Sequence, residues 1–166
     1  MEKNCKSNAN RIGHLMIFEH KKTILQKWID YNGHMQDAYY GLVFSQAVDA
    51  LQDEVGFDQF YRQKTGCTIY LVEEHKFFLK EVKEGAQVNV KIRVLDISEK
   101  VFHIYAVMTS EGHDVAISEM VQMHVSQNPT PSGVAIPLEI KNRLRIYLVD
   151  KEHQVALKHR ARAMSA

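Results

Sequence analysis

The sequence predicts an α+β protein in which one long apolar helix lies against an antiparallel sheet. Three observations lead there. Tyr40, Val43, Phe44, Ala47, Leu51 and Val55 recur at three- and four-residue spacing, which predicts a helix over Gln36 to Val55. Val88, Val90, Ile92 and Val94 alternate with Gln87, Asn89, Lys91 and Arg93, the period of a half-buried strand. The links that follow, Ser98-Glu99-Lys100 and Glu111-Gly112-His113-Asp114, are short enough to join antiparallel neighbours. At 166 residues, with 45% hydrophobic and 25% charged side chains, the chain suits one domain with a substantial core.

Taken in order, residues 1–13 are polar and aperiodic and read as an N-terminal tail. Met16-Ile17-Phe18 and Thr23-Ile24-Leu25 favour a first strand between Leu15 and Trp28. Asp30, Asn32 and Gly33 supply a turn before the long helix, and Gly56 supplies its end. Thr68 to Leu79 is apolar and aromatic, and Lys83-Glu84-Gly85 turns the chain into the strand at 88–94. Val101 to Ser110 and Val115 to Val125 complete a meander, closed by the Pro129–Gly133 stretch. The main domain is therefore expected over 14–128. Residues 129–166 form a C-terminal extension, with a short amphipathic helix from Leu138 to Val149 and a polar, basic tail from Lys151.

Composition excludes several classes. A net charge of +1 gives no case for nucleic acid or an anionic membrane surface. No run of about 18 apolar residues is present to span a membrane, and Met1 to Arg11 lacks the apolar core of a signal peptide. Cys5 and Cys67 cannot build a disulfide framework or a CxxC site, so a cytoplasmic location is expected. The nine histidines form neither HExxH nor a zinc-ligand spacing, and GxSxG and P-loop motifs are missing, so no metal or cofactor is expected.

What chemistry remains is concentrated before the helix. Asp30 offers a carboxylate, His34 an imidazole, and the helix start its free N–H groups, with Gly33 allowing close backbone approach. Such a set can polarise a carbonyl and activate water. On residue chemistry alone, an Asx turn or a helix cap is the better account of Asp30, and a packed imidazole accounts for His34 as well as a site role does. Glu119 shares parity with Val115, Ile117, Val121 and Met123, which makes it either a site residue or half of a buried pair. Lys91, Arg93 and Lys100 are candidate phosphate-binding cations.

Asp30-Tyr31-Asn32-Gly33-His34-Met35-Gln36-Asp37-Ala38-Tyr39-Tyr40 resembles the D-x-x-G-H-V-N-N-x-x-Y signature of hotdog-fold acyl-CoA thioesterases of the 4-hydroxybenzoyl-CoA type. The likeness covers roughly residues 17–127. Within that family, Trp28 to Met35 and Val72 to Val82 are similar to the W-V-D-Y-N-G-H-M and V-E-T-H-x-x-Y-L-R-E-V stretches of betainyl-CoA thioesterases of carnitine breakdown. The resemblance implies a hotdog fold, a sheet curved around one central helix, and hydrolysis of a small acyl-CoA. It makes Asp30 the nucleophile or general base, the backbone at Asp37 an oxyanion donor, and Gly33 and His34 their supports. It also implies a substrate pocket including Trp28, Tyr31, Asn32, Tyr40, Asp49, Glu73 and His75, and a homodimer or homotetramer with sites between subunits. If the acyl group carries a trimethylammonium, Trp28 and Tyr31 are candidates for an aromatic cage. The chain departs from the family at Gln36 and Asp37, where paired asparagines are usual. It departs again at Ser45 and Gln46, where many relatives carry a glutamate and where Asp49 is the nearest carboxylate on the helix. The rival expectations are a thioesterase for another short or aromatic acyl-CoA, a non-catalytic acyl-CoA-binding domain and a hotdog dehydratase.

Overall fold

The computed structural model describes residues 16–161. The tail expected over 1–13, with Cys5, and the last residues of the expected basic tail lie outside them. β1 (Phe18–Thr23) gives way to a 3-10 turn at Gln26–Trp28, so the first strand ends before the expected Trp28. The long helix α1 (Asp37–Val55) follows, then a short α2 (Gln59–Thr65). β2 (Cys67–Phe78), β3 (Gln87–Ile97), β4 (Val101–Ser110) and β5 (His113–Ser126) form the meander. A short β6 (Ser132–Gly133), α3 (Leu138–Leu144), a 3-10 turn at Arg145–Tyr147 and α4 (Lys151–Gln154) complete the chain.

The strands make one antiparallel sheet in the order β1-β3-β4-β5-β2, with β6 pairing the end of β5. Its inner face wraps α1, and this is the hotdog arrangement. Tyr, Val, Phe and Gly are poor helix formers, so α1 is held by packing rather than propensity. Val43, Phe44, Ala47 and Leu51 are fully buried against Val90 and Ile92 of β3 and Ile104 and Met108 of β4, within one core cluster. Gly56 ends the helix at φ +106°, where its N–H meets the carbonyls of Gln52 and Asp53.

Two features differ from expectation. Helix α2 buries no residue and so leaves no hydrophobic period to detect; Asp58 caps it, accepting from Tyr61 N–H at 2.8 Å. The segment read as a polar tail from Lys151 is instead a strap across the outer face of the sheet. Its polar composition misleads because backbone and amide groups make much of the contact. Gln154 Nε2 donates to Leu95 O at 2.7 Å, and Tyr105 Oη donates to Lys158 O at 2.7 Å. Leu157 packs on a small cluster of Leu95, Tyr105, Val107 and Ile117. Upstream, Ile136, Ile140, Leu144 and Tyr147 join the main core.

Glu119 resolves to the structural reading. Fully buried beneath the strap, it receives Arg160 Nε at 3.0 Å on both oxygens and Ala161 N–H at 2.7 Å. His103 Nε2 lies 2.8 Å from Glu119 Oε1 but is not aligned for a hydrogen bond. Burial lowers the His103 pKa, and the Glu119 carboxylate opposes that shift.

Candidate active site

The segment before α1 is a tight hairpin. Gln36 N–H donates to Trp28 O at 3.0 Å and Asp30 N–H to His34 O at 2.9 Å, around a tip closed by Gly33 N–H to Asp30 O at 3.0 Å. Gly33 sits at φ +80°, a conformation that disfavours any side chain. Met35 N–H donates to Val82 O at 2.7 Å and ties the hairpin to the chain beyond β2.

Asp30 makes the Asx turn that residue chemistry favours. Its Oδ1 accepts from Asn32 N–H at 2.8 Å and, more loosely, from His34 N–H at 3.5 Å. Oδ2 keeps no partner among the described residues, so the turn occupies only one of the two carboxylate oxygens. At the start of α1, Gln36 makes no side-chain cap, and the N–H groups of Met35, Gln36 and Tyr39 are engaged. Those of Asp37 and Ala38 have no acceptor among the described residues and carry the positive end of the helix dipole. His34 Nε2 lies 3.0 Å from Glu81 Oε2, which fixes the imidazole beside the hairpin.

A cavity of about 300 Å³ opens at this point, lined by Met35, Asp37, Tyr40, Phe78, Lys80 and their neighbours. Tyr40 is buried there, edge-on to Phe78 with centroids 5.3 Å apart, and its hydroxyl donates to Lys80 O at 3.2 Å. Burial raises its pKa above 10.0 and keeps the phenol neutral.

Other expected residues are placed differently. Trp28 is 4% exposed and stacks on Tyr39 at 5.6 Å, whereas Tyr31 is 97% exposed at the hairpin tip, so the two rings line no common pocket in this chain. Glu73 and His75 form an exposed pair at 3.4 Å on β2. Their neighbours Glu74 and Lys76 take the inner face instead, because a bulge between Leu71 and Glu73 reverses the alternation. Lys91 and Arg93 line an outer-face groove with Tyr105 and Lys158, away from the start of α1. Asp49 lines a second cavity, between α1 and β2. Among the described residues no group of three or more His, Cys, Asp or Glu side chains is arranged to hold a metal, and no helix is long and apolar enough to cross a membrane.

The family model of the thioesterase-like superfamily matches residues 24–156. The chain belongs to that superfamily and is a thioester hydrolase. This thioesterase is 41% identical over 141 residues to the betainyl-CoA thioesterase of Pseudomonas aeruginosa, covering 84% of the chain and 87% of that relative. It is 36% identical over 119 residues to the L-carnitine dehydrogenase/betainyl-CoA thioesterase of Agrobacterium fabrum; the match covers 71% of the chain but 24% of that longer protein. A Staphylococcus aureus protein characterised in complex with CoA superposes with a TM-score of 0.75 at 26% identity, over 83% of this chain and 87% of its own.

Sequence reasoning missed Gly41, Glu74, Lys76, Gln52 and Gln122 of the thioesterase. A signal existed for the first: an isolated glycine inside a helical pattern asks for a close neighbour. Lys76 is that neighbour, its Nζ only 3.3 Å from where a Cβ at position 41 would stand.

Proposed function

We propose that this thioesterase hydrolyses betainyl-CoA to glycine betaine and free coenzyme A, as a cytoplasmic enzyme of carnitine breakdown. The free Oδ2 of Asp30, on the hairpin that leads into the open N–H groups of Asp37 and Ala38, supports hydrolysis at this place. The acyl group is argued from the 41% identity to the Pseudomonas aeruginosa enzyme. In this reading the two N–H groups hold the thioester oxygen as it gains charge. Asp30 attacks the carbonyl carbon, forming an anhydride that water cleaves, or takes a proton from the attacking water. Coenzyme A leaves as the thiol.

The active form in this proposal is a homodimer, or a tetramer built from two such dimers. β2 is an edge strand, and Tyr70, Leu71, Val72 and Phe78 along it are exposed. A long unpaired edge of this kind invites a second copy. A two-fold axis normal to the sheet would pair β2 with β2 antiparallel, leaving both α1 helices on one side.

The test is a thiol-release assay over a panel of acyl-CoA thioesters with wild type and Asp30→Asn. Betainyl-CoA is expected to be the preferred substrate, and the substitution to slow release by about 10³-fold. Equal rates in both proteins would remove Asp30 from the chemistry, and CoA binding without release would point to a binding domain.

A further inference from the structure

One face of α1 and the inner face of β2 and β5 enclose a cavity of about 350 Å³ whose polar lining is not balanced. Two carboxylates reach it. Glu74 is already neutralised: Lys76 Nζ donates to it at 2.6 Å and Ser118 Oγ at 2.8 Å. Asp49 stands at the rim, exposed in the single chain, with no ion-pair partner among the described residues. Partial burial, then the Asp53 carboxylate, raises its pKa above 3.8, with Arg62 opposing. Gln52 and Gln122 also line the cavity. They are 8% and 4% exposed, and neither amide makes a hydrogen bond among the described residues. The other walls include Val48, Ile69, Leu71 and Met120.

Gln52 and Gln122 are both nearly buried, yet their amides are left facing the open cavity, where a ligand rather than a neighbouring side chain can meet them. An unpaired carboxylate, two free amide dipoles and an apolar wall together complement a compact cation with apolar surface. We propose that Asp49 selects for a positively charged acyl group, acting on the substrate held at the Asp30 hairpin of the partner subunit. This inference rests on the betainyl-CoA and homodimer readings above. Within one chain Asp49 lies twelve residues beyond Asp37, roughly 18 Å along the helix at 1.5 Å per residue, too far for so small an acyl group. Across the dimer the separation shortens. α1 runs antiparallel to β2, since Gly41 meets Lys76 while Gln52 and Ile69 share the other end of the cavity. Pairing β2 with β2 about a two-fold therefore sets the two α1 helices side by side in opposite directions. Each Asp49 then moves toward the other helix's start. There it faces the methyl-covered cation with a charge, while the amide oxygens of Gln52 and Gln122 add partial negative charge and the apolar wall receives the methyl groups.

The test compares kcat/KM for betainyl-CoA and its uncharged isostere, tert-butylacetyl-CoA, in wild type and Asp49→Asn. Wild type is expected to favour the cation, and the substitution to reduce that preference by about tenfold, as loss of one sheltered ion pair requires. Both substrates are read on one preparation, so the ratio does not depend on how much of the variant is folded. An unchanged ratio, with betainyl-CoA still hydrolysed, overturns the assignment of Asp49 alone. Failure of wild type to hydrolyse betainyl-CoA overturns the substrate reading and this inference with it. Mixing Asp30→Asn and Asp49→Asn subunits separates the geometries. Recovery of cation preference on subunit exchange supports action across the interface, and no recovery overturns it.

Discussion

On the outer face of the sheet the carboxylate of Glu119 is fully buried and met by Arg160, His103 and the Ala161 N–H, while at the rim of the inner cavity Asp49 forms no ion pair among the described residues. Both are acids beside apolar side chains, and both sit on regular elements. What separates them is completion. The strap closes over Glu119 and supplies its partners from the same chain, which makes the cluster part of the fold. The cavity between α1 and β2 stays open, and its acid at the rim and two amides are left to water or to a ligand rather than to partners from the same chain. A polar group satisfied from within reports on stability, and one left open reports on a partner.

One substitution on each face should break or uphold that contrast most forcefully. Arg160→Ala leaves the Glu119 carboxylate buried without its main counter-charge, and a loss of about 3 kcal/mol in urea unfolding is expected. Asp49→Asn removes an exposed, unpaired charge and should move stability by less than about 0.5 kcal/mol. Similar losses in the two variants would erase the distinction between the faces.

The hotdog architecture was legible because its signals are periodic. α1 announced itself through Val43, Phe44, Ala47 and Leu51, and β3 through the alternation from Val88 to Val94. Asp30 and Gly33 were legible by family likeness, and the hairpin geometry adds the detail that Oδ1 is tied and Oδ2 free. Glu74 and Lys76 were hidden by a single extra residue at Val72, since a bulge changes which face every later side chain takes and leaves no mark in composition. The strap was hidden for a different reason. Lys158 binds through its carbonyl and Gln154 through its amide, and neither contact follows a hydrophobic period.

A smaller effect follows from the histidine that serves the fold. His124 is 2% exposed; its Nε2 lies 2.8 Å from Tyr61 Oη, and its Nδ1 donates to the carbonyls of Val134 and Ala135 at 3.2 and 3.0 Å. Burial holds its pKa below 6.5, against the raising effect of those two carbonyls. The unfolded chain therefore binds a proton at higher pH than the folded one does. Stability is full above about pH 6.5 and falls as the pH drops toward the lowered folded value. Thermal melting is expected to decline between about pH 7 and pH 5, with a shallower slope in His124→Asn. A flat profile in the wild type would show that the imidazole is not held neutral.

The smallest change in stability is expected at the place where the open cavity meets the helix. A Cβ at Gly41 would stand 3.2 Å from Lys76 Cε and 3.3 Å from its Nζ, contacts that force a neighbour to give. The neighbour is the far end of a flexible side chain, so it can give. Gly41→Ala should gain about 1 kcal/mol in helix propensity and give part of it back as Lys76 shifts against Glu74, leaving melting nearly unchanged. Lys76 need move by only a few tenths of an ångström, so Glu74 keeps both Lys76 and Ser118 Oγ, and preference for a cationic over a neutral acyl group should hold. A fall in that preference, at unchanged stability, would mean that the acyl group needs the space beside Gly41 and that the Asp49 charge alone does not set the preference.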